Sequence, residues 1–168
     1  VLSIISLVSA LALAFTYSMT KDAIARVSVN RTLKALDDVL PDFDNDPIKE
    51  KYTVEGFEGI ELFPAKKNGQ PVGTAVRTFS DKGFGGNVFL VIGFDTGNKI
   101  TAISVMANNE TPGLGTKMDT PGFKDQFKGK GPGEFKMQVK KDGGEVDAIT
   151  AATITYRAFC DATERACQ

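Results

Sequence analysis

The sequence predicts an α+β protein: a single N-terminal transmembrane helix followed by a mainly antiparallel sheet domain flanked by helices. Three observations lead there. Residues 1–19 carry no charge, residues 49–106 alternate short apolar runs with glycine and asparagine turns, and residues 153–166 repeat apolar side chains at helical spacing. The expected parts are an anchor over 1–19, a connecting helix and turn over 20–48, and a folded domain over 49–168.

The anchor reads Val-Leu-Ser-Ile-Ile-Ser-Leu-Val-Ser-Ala-Leu-Ala-Leu-Ala-Phe-Thr-Tyr-Ser-Met. A membrane-spanning helix needs about 20 mostly apolar residues, whereas a signal-peptide core uses about 7 to 15, so a retained anchor in contact with lipid is expected. Ser3, Ser6 and Ser9 recur every third position, on a side suited to a neighbouring helix. Over 20–40 the pattern becomes that of a soluble helix, with Ile24, Val27, Leu33, Leu36, Val39 and Leu40 between charges, and Pro41 stops it. Asp42, Asp44 and Asp46 resemble the start of a calcium loop. Pro47 stands where that loop needs glycine and Thr53 where it needs glutamate, so a turn is expected instead.

Strands are expected at 51–54, 70–79, 87–94 and 99–106, divided by Asn68-Gly69, Gly83-Phe84-Gly85-Gly86 and Thr96-Gly97-Asn98. Such short connections favour antiparallel hairpins. The Gly-Phe-Gly-Gly turn fits either a tight turn or the close approach of a flat ring. Residues 122–133 are rich in glycine and lysine and read as a surface excursion. Two further short strands are expected at 135–139 and 145–149, then a helix from Thr153 to about Ala166.

Composition narrows the function. Of 168 residues 42% are hydrophobic and 24% charged, as in a globular core, and the net charge of −1 gives no reason to expect a nucleic-acid partner. Lys124, Lys128, Lys130, Lys136, Lys140 and Lys141 form a dense stretch that reads as a solvated rim. The chain has no histidine, the commonest metal ligand and general base, which weighs against hydrolytic or metal-dependent catalysis. Cys160 and Cys167 lie seven apart on the last helix, about 10 Å along its axis, too far for a disulfide and best read as buried free thiols. There is no Gly-x-Gly-x-x-Gly fingerprint and no cysteine cluster for iron–sulfur centres.

Two stretches stand out. Asp147-Ala148-Ile149-Thr150-Ala151-Ala152-Thr153-Ile154-Thr155 sets three threonines and three alanines behind an acid at the start of a helix. Small side chains admit a bulky group, and unpaired N–H groups at a helix start suit a phosphate. By composition alone such a run is more often a strand end and N-cap than a cofactor site. Upstream, Glu110-Thr111-Pro112-Gly113-Leu114-Gly115 sets a carboxylate, a hydroxyl and a leucine around two glycines, a mixture suited to a flat, half-polar ring.

Together, in this order, the two stretches resemble the FMN-binding subunits of the Rnf and Na⁺-translocating NADH:quinone reductase complexes, and most closely the Rnf G-type subunit. In that family flavin transferases attach FMN to a threonine at Asp-x-x-(Ser/Thr)-Gly-Ala-Thr, matched here by Asp147, Thr150, Ala151, Ala152 and Thr153. Ala151 stands at the glycine position, and Asn108 where relatives often have histidine. The resemblance implies covalent FMN on Thr153. Glu110 and Thr111 would offer polar contacts, Leu114 and Gly115 would pack on the ring or cover the phosphate arm, and Thr150, Ala151, Ala152 and Lys140 would complete the site. It further implies an electron carrier rather than a complete enzyme, in a cell-membrane complex exchanging electrons between ferredoxin and NAD with ion movement. Its partners would be the other Rnf subunits and a flavin transferase, and its folded domain would be extracytoplasmic. The alternatives are the C-type subunit of the quinone reductase, or a membrane-tethered binding module without flavin.

Overall fold

The computed structural model describes residues 2–168, as two compact units that divide after Lys34. Helix α1 (Leu2–Val39) is uninterrupted, so the anchor and the connecting helix expected from sequence are one element. No glycine or proline occurs before Pro41, which removes the usual causes of a break. At 1.5 Å per residue α1 is about 57 Å long. Its apolar part is long enough to cross a membrane, and none of that window is buried within the protein. The hydroxyls of Ser6, Thr16 and Thr20 donate to the carbonyls of Leu2, Ala12 and Thr16, so these polar groups are satisfied inside the helix, as an apolar surrounding requires.

The second unit is built on a four-stranded antiparallel meander, β1 (Glu61–Lys67), β2 (Gln70–Gly83), β3 (Gly86–Asp95) and β4 (Ile100–Ala107), in that spatial order. Asn68 and Gly69, both at positive φ, close the first hairpin as a two-residue turn must. β3 is central and buried on both faces, which explains its nearly continuous apolar run. Val88, Leu90, Ile92 and Phe94 enter one core with helix α3 (Thr153–Ala166). Val91 enters the other, with Ala35, Leu36, Val39 and Leu40 at the end of α1. There Thr101 donates its hydroxyl to the Val39 carbonyl, and Gly93 leaves room for that carbonyl to approach the sheet.

α3 has the limits read from the sequence, and its buried face carries Tyr156, Phe159, Cys160, Ala162 and Thr163. Other expectations change. Residues 122–133 are no surface excursion, because Phe123 and Phe127, on helix α2 (Pro121–Lys124) and the 3₁₀ turn after it, are buried against Phe159 with ring centroids 5.0 and 5.3 Å away. The lysines around them mask two aromatic anchors. The strands expected at 135–139 and 145–149 reduce to one parallel bridge, Val139 to Val146, and that at 51–54 to one bridge from Tyr52 to Leu62. The true first strand, β1, contains Pro64, a residue that marks against a strand unless it lies on an edge, as β1 does. Both cysteines are free, Cys160 buried and Cys167 partly so.

Candidate cofactor site

Three segments converge on a hollow of about 360 Å³: the β2–β3 hairpin tip at Phe84, the loop from Glu110 to Gly115, and the first turn of α3. Its walls are Phe84, Glu110, Thr111, Leu114, Gly115, Ala151, Ala152, Thr153, Ile154 and Thr155. Seven of the nine residues singled out from sequence therefore meet in one place, although 38 positions separate Gly115 from Thr153. The other two do not line it. Thr150 is exposed in the preceding turn, and Lys140 pairs with Asp147 at 2.7 Å on the surface. Asp147 is held by Gln126, whose side chain both accepts from its N–H and donates to its carbonyl.

Thr153 opens α3, and its N-cap, Ala152, offers no capping side chain. The N–H groups of Thr153, Ile154 and Thr155 have no acceptor among the described residues, so the positive end of the helix faces the hollow uncommitted. The Thr153 hydroxyl makes no hydrogen bond among the described residues either, and is half-buried. Ala151 has φ 72°, the left-handed region in which glycine is at ease and alanine is strained. The chain thus keeps a glycine conformation where the motif's glycine is replaced.

Opposite, Glu110 is only 5% exposed. Its carboxylate accepts from the Thr155 hydroxyl at 2.6 Å and the Gly85 N–H at 3.1 Å, and its own N–H donates to Asn108 Oδ1 at 3.1 Å. Leu114, Ile154 and Phe84 stay exposed at the rim, three apolar side chains suited to the faces and edge of a flat ring. Phe84, Ile154 and Thr155 were not singled out as binding residues. The signals were the glycines flanking Phe84 and the Thr-x-Thr pattern, which puts a second hydroxyl in the first helical turn. A larger hollow of about 460 Å³, walled by 132–137 and the end of α3, contains none of the motif residues.

The arrangement suits a phosphate on α3 and a flat ring between apolar walls. Residues 83–168 match the FMN-binding domain family. The G-type subunit of the ion-translocating oxidoreductase complex of Aliivibrio fischeri is 32% identical over 179 residues, covering 99% of this chain and 85% of that protein. This chain belongs to the G-type family. Another member, the G-type subunit of the Na⁺-translocating ferredoxin:NAD⁺ oxidoreductase complex of Acetobacterium woodii, is 38% identical over 172 residues, covering 94% of this chain and 83% of its own length. Among solved structures, the C-type subunit of the Na⁺-translocating NADH-quinone reductase from Parabacteroides distasonis aligns with TM-score 0.54 and 28% identity, over 75% of this chain and 67% of that one. NqrC of Shewanella oneidensis aligns with TM-score 0.53 and 20% identity, over 74% and 62%, and shares the fold. This G-type chain thus has the fold of the quinone-reductase C-type proteins, while its sequence relatives are named as G-type.

Proposed function

We propose that this chain is the electron-transfer subunit of a membrane-bound, ion-translocating ferredoxin:NAD oxidoreductase and carries FMN esterified through its phosphate to Thr153. The observation that carries this reading is the Thr153 hydroxyl at the start of α3, which among the described residues has no hydrogen-bond partner, beside three N–H groups likewise without acceptors and inside a hollow that gathers both motifs. A phosphodiester there gains about 0.3–1 kcal/mol from the helix dipole. Loading forms the bond from Thr153 Oγ1 to the phosphorus of a flavin dinucleotide donor. The phosphoanhydride breaks, a nucleoside monophosphate leaves with the electron pair, and the hydroxyl proton passes to solvent. A flavin transferase is the partner for this step. Thr111, Leu114 and Ile154 hold the ring, and the strained turn at Ala151 directs the chain so that Thr153 faces the cavity. The flavin supplies the redox chemistry; the protein supplies position and electrostatics.

α1 serves as a single-pass anchor in lipid, with the folded domain on the extracytoplasmic side among the other subunits of the complex. The test is intact mass and colour of the full chain from its native membrane. Flavin should remain with the denatured, acid-precipitated protein, an FMN-sized increment should map to the peptide holding Thr153, and Thr153→Ala should remove both without loss of fold. A colourless wild-type pellet refutes the flavin reading. Colour retained by Thr153→Ala refutes the attachment site alone.

A further inference from the structure

Glu110 lies in the motif loop, yet both of its carboxylate oxygens are taken by protein donors. One accepts from Thr155, in the first turn of α3, and the other from the backbone of Gly85, next to Phe84 at the hairpin tip. A carboxylate this buried is stable only when hydrogen-bonded, and here the two donors come from two different segments, Thr155 from the wall of the hollow and Gly85 from beside its wall residue Phe84. The packing around it leaves no slack. A Cβ added at Gly115 would lie 2.7 Å from Glu110 Oε2 and 2.9 Å from Thr155 Oγ1. The motif glycine is therefore what allows the carboxylate and the hydroxyl to meet. Ala152 supplies no side-chain cap, and the Thr155 hydroxyl is what hydrogen-bonds the first turn of α3 to the motif loop.

We infer that Glu110 is a positioning residue. Its carboxylate clasps the hairpin tip to the first turn of α3 and so sets the gap between Phe84 on one side and Thr153 on the other. Resting on the flavin reading, this gives Glu110 a role through the walls rather than through the ring. Severing the clasp lets the walls move apart, which slows presentation of the Thr153 hydroxyl and loosens the ring once attached.

The test uses the full chain in detergent, made colourless by expression without a flavin transferase and then loaded with the transferase and flavin dinucleotide. Loading rate and fluorescence anisotropy of the attached flavin are read for wild type, Thr155→Ala, Thr155→Ser and Thr155→Val, with far-UV circular dichroism confirming the fold. Thr155→Ala should load about tenfold or more slowly and show faster ring motion, as a misplacement of reacting groups predicts. Thr155→Ser, which keeps the hydroxyl, should restore both. A folded Thr155→Ala with wild-type rate and anisotropy overturns the clasp. Should Thr155→Ala fail to fold, Thr155→Val decides: it keeps the side-chain shape and loses only the hydroxyl that Glu110 accepts from, and unchanged loading and ring motion in it also overturn the inference. Wild type that takes up no flavin refutes the underlying reading instead.

Discussion

Replacing Ala151 by glycine should make this protein more stable, an unusual direction for a change that deletes a methyl group. Ala151 has φ 72° and is exposed, so its methyl group contributes little burial while the backbone pays for a left-handed conformation. That conformation costs an L-residue about 1–2 kcal/mol. Glycine relieves it but loses about 0.5–1 kcal/mol more backbone entropy on folding. With the middle of each range, the difference leaves a net gain of about 0.75 kcal/mol. With a urea dependence of about 2 kcal/mol per molar, the midpoint of unfolding should rise by about 0.4 M. The measurement is urea unfolding of the colourless full chain in detergent, followed by circular dichroism at constant slope. Asn98→Gly is the control: Asn98 has φ 58°, but asparagine tolerates this region, so its midpoint should barely move. If Ala151→Gly is neutral or destabilising while Asn98→Gly is neutral, the positive φ at Ala151 carries no strain and the reasoning fails.

Gly93→Ala should lower stability by about 1–3 kcal/mol, read as a fall in the urea midpoint. The new Cβ would lie 2.5 Å from Thr101 Oγ1 and 2.7 Å from the Val39 carbonyl carbon, where the end of α1 meets the sheet. Asp161 is partly buried, which pushes its carboxyl up, but hydrogen bonds from Lys82 and Ser80 outweigh this and hold it below the usual range. A depressed folded pKa means stability that is present above the unfolded value of about 3.9 and lost as pH falls through the folded one. Asp161→Asn should therefore weaken the chain at pH 7 and flatten its loss of stability below about pH 4, seen in melts across pH. Burial pushes the Cys160 thiol up to about 12 and the Cys167 thiol up to about 11. At about pH 8 both should react with a maleimide far more slowly than an unfolded control, and Cys160 more slowly than Cys167, by mass spectrometry.

Much of the site was legible because it is written in local terms. A helix with unchanging apolar spacing announces its own limits, and α3 runs from Thr153 to Ala166 as its pattern says. The motifs at 110–115 and 147–155 carry their chemistry in residue type, and the turns between β2, β3 and β4 carry theirs in glycine and asparagine. β1 was missed because its edge position, which makes Pro64 harmless, is a property of the sheet and not of the strand. Phe123 and Phe127 were misread because a window dense in glycine and lysine looks solvated until α3 covers it.

By itself the sequence determined the apolar helix, the succession of strands in β2, β3 and β4, the last helix and seven of the residues that line one hollow. Periodicity and turn chemistry act over a few neighbours and so survive in a linear reading. Only the tertiary structure decided that Glu110 bonds to Thr155, 45 positions away, that Lys140 turns instead to Asp147, and that Ala151 holds a left-handed turn. Those outcomes depend on which surfaces the packed sheet and helix bring within about 3 Å of one another, and such a distance is a property of the closed fold rather than of any stretch within it.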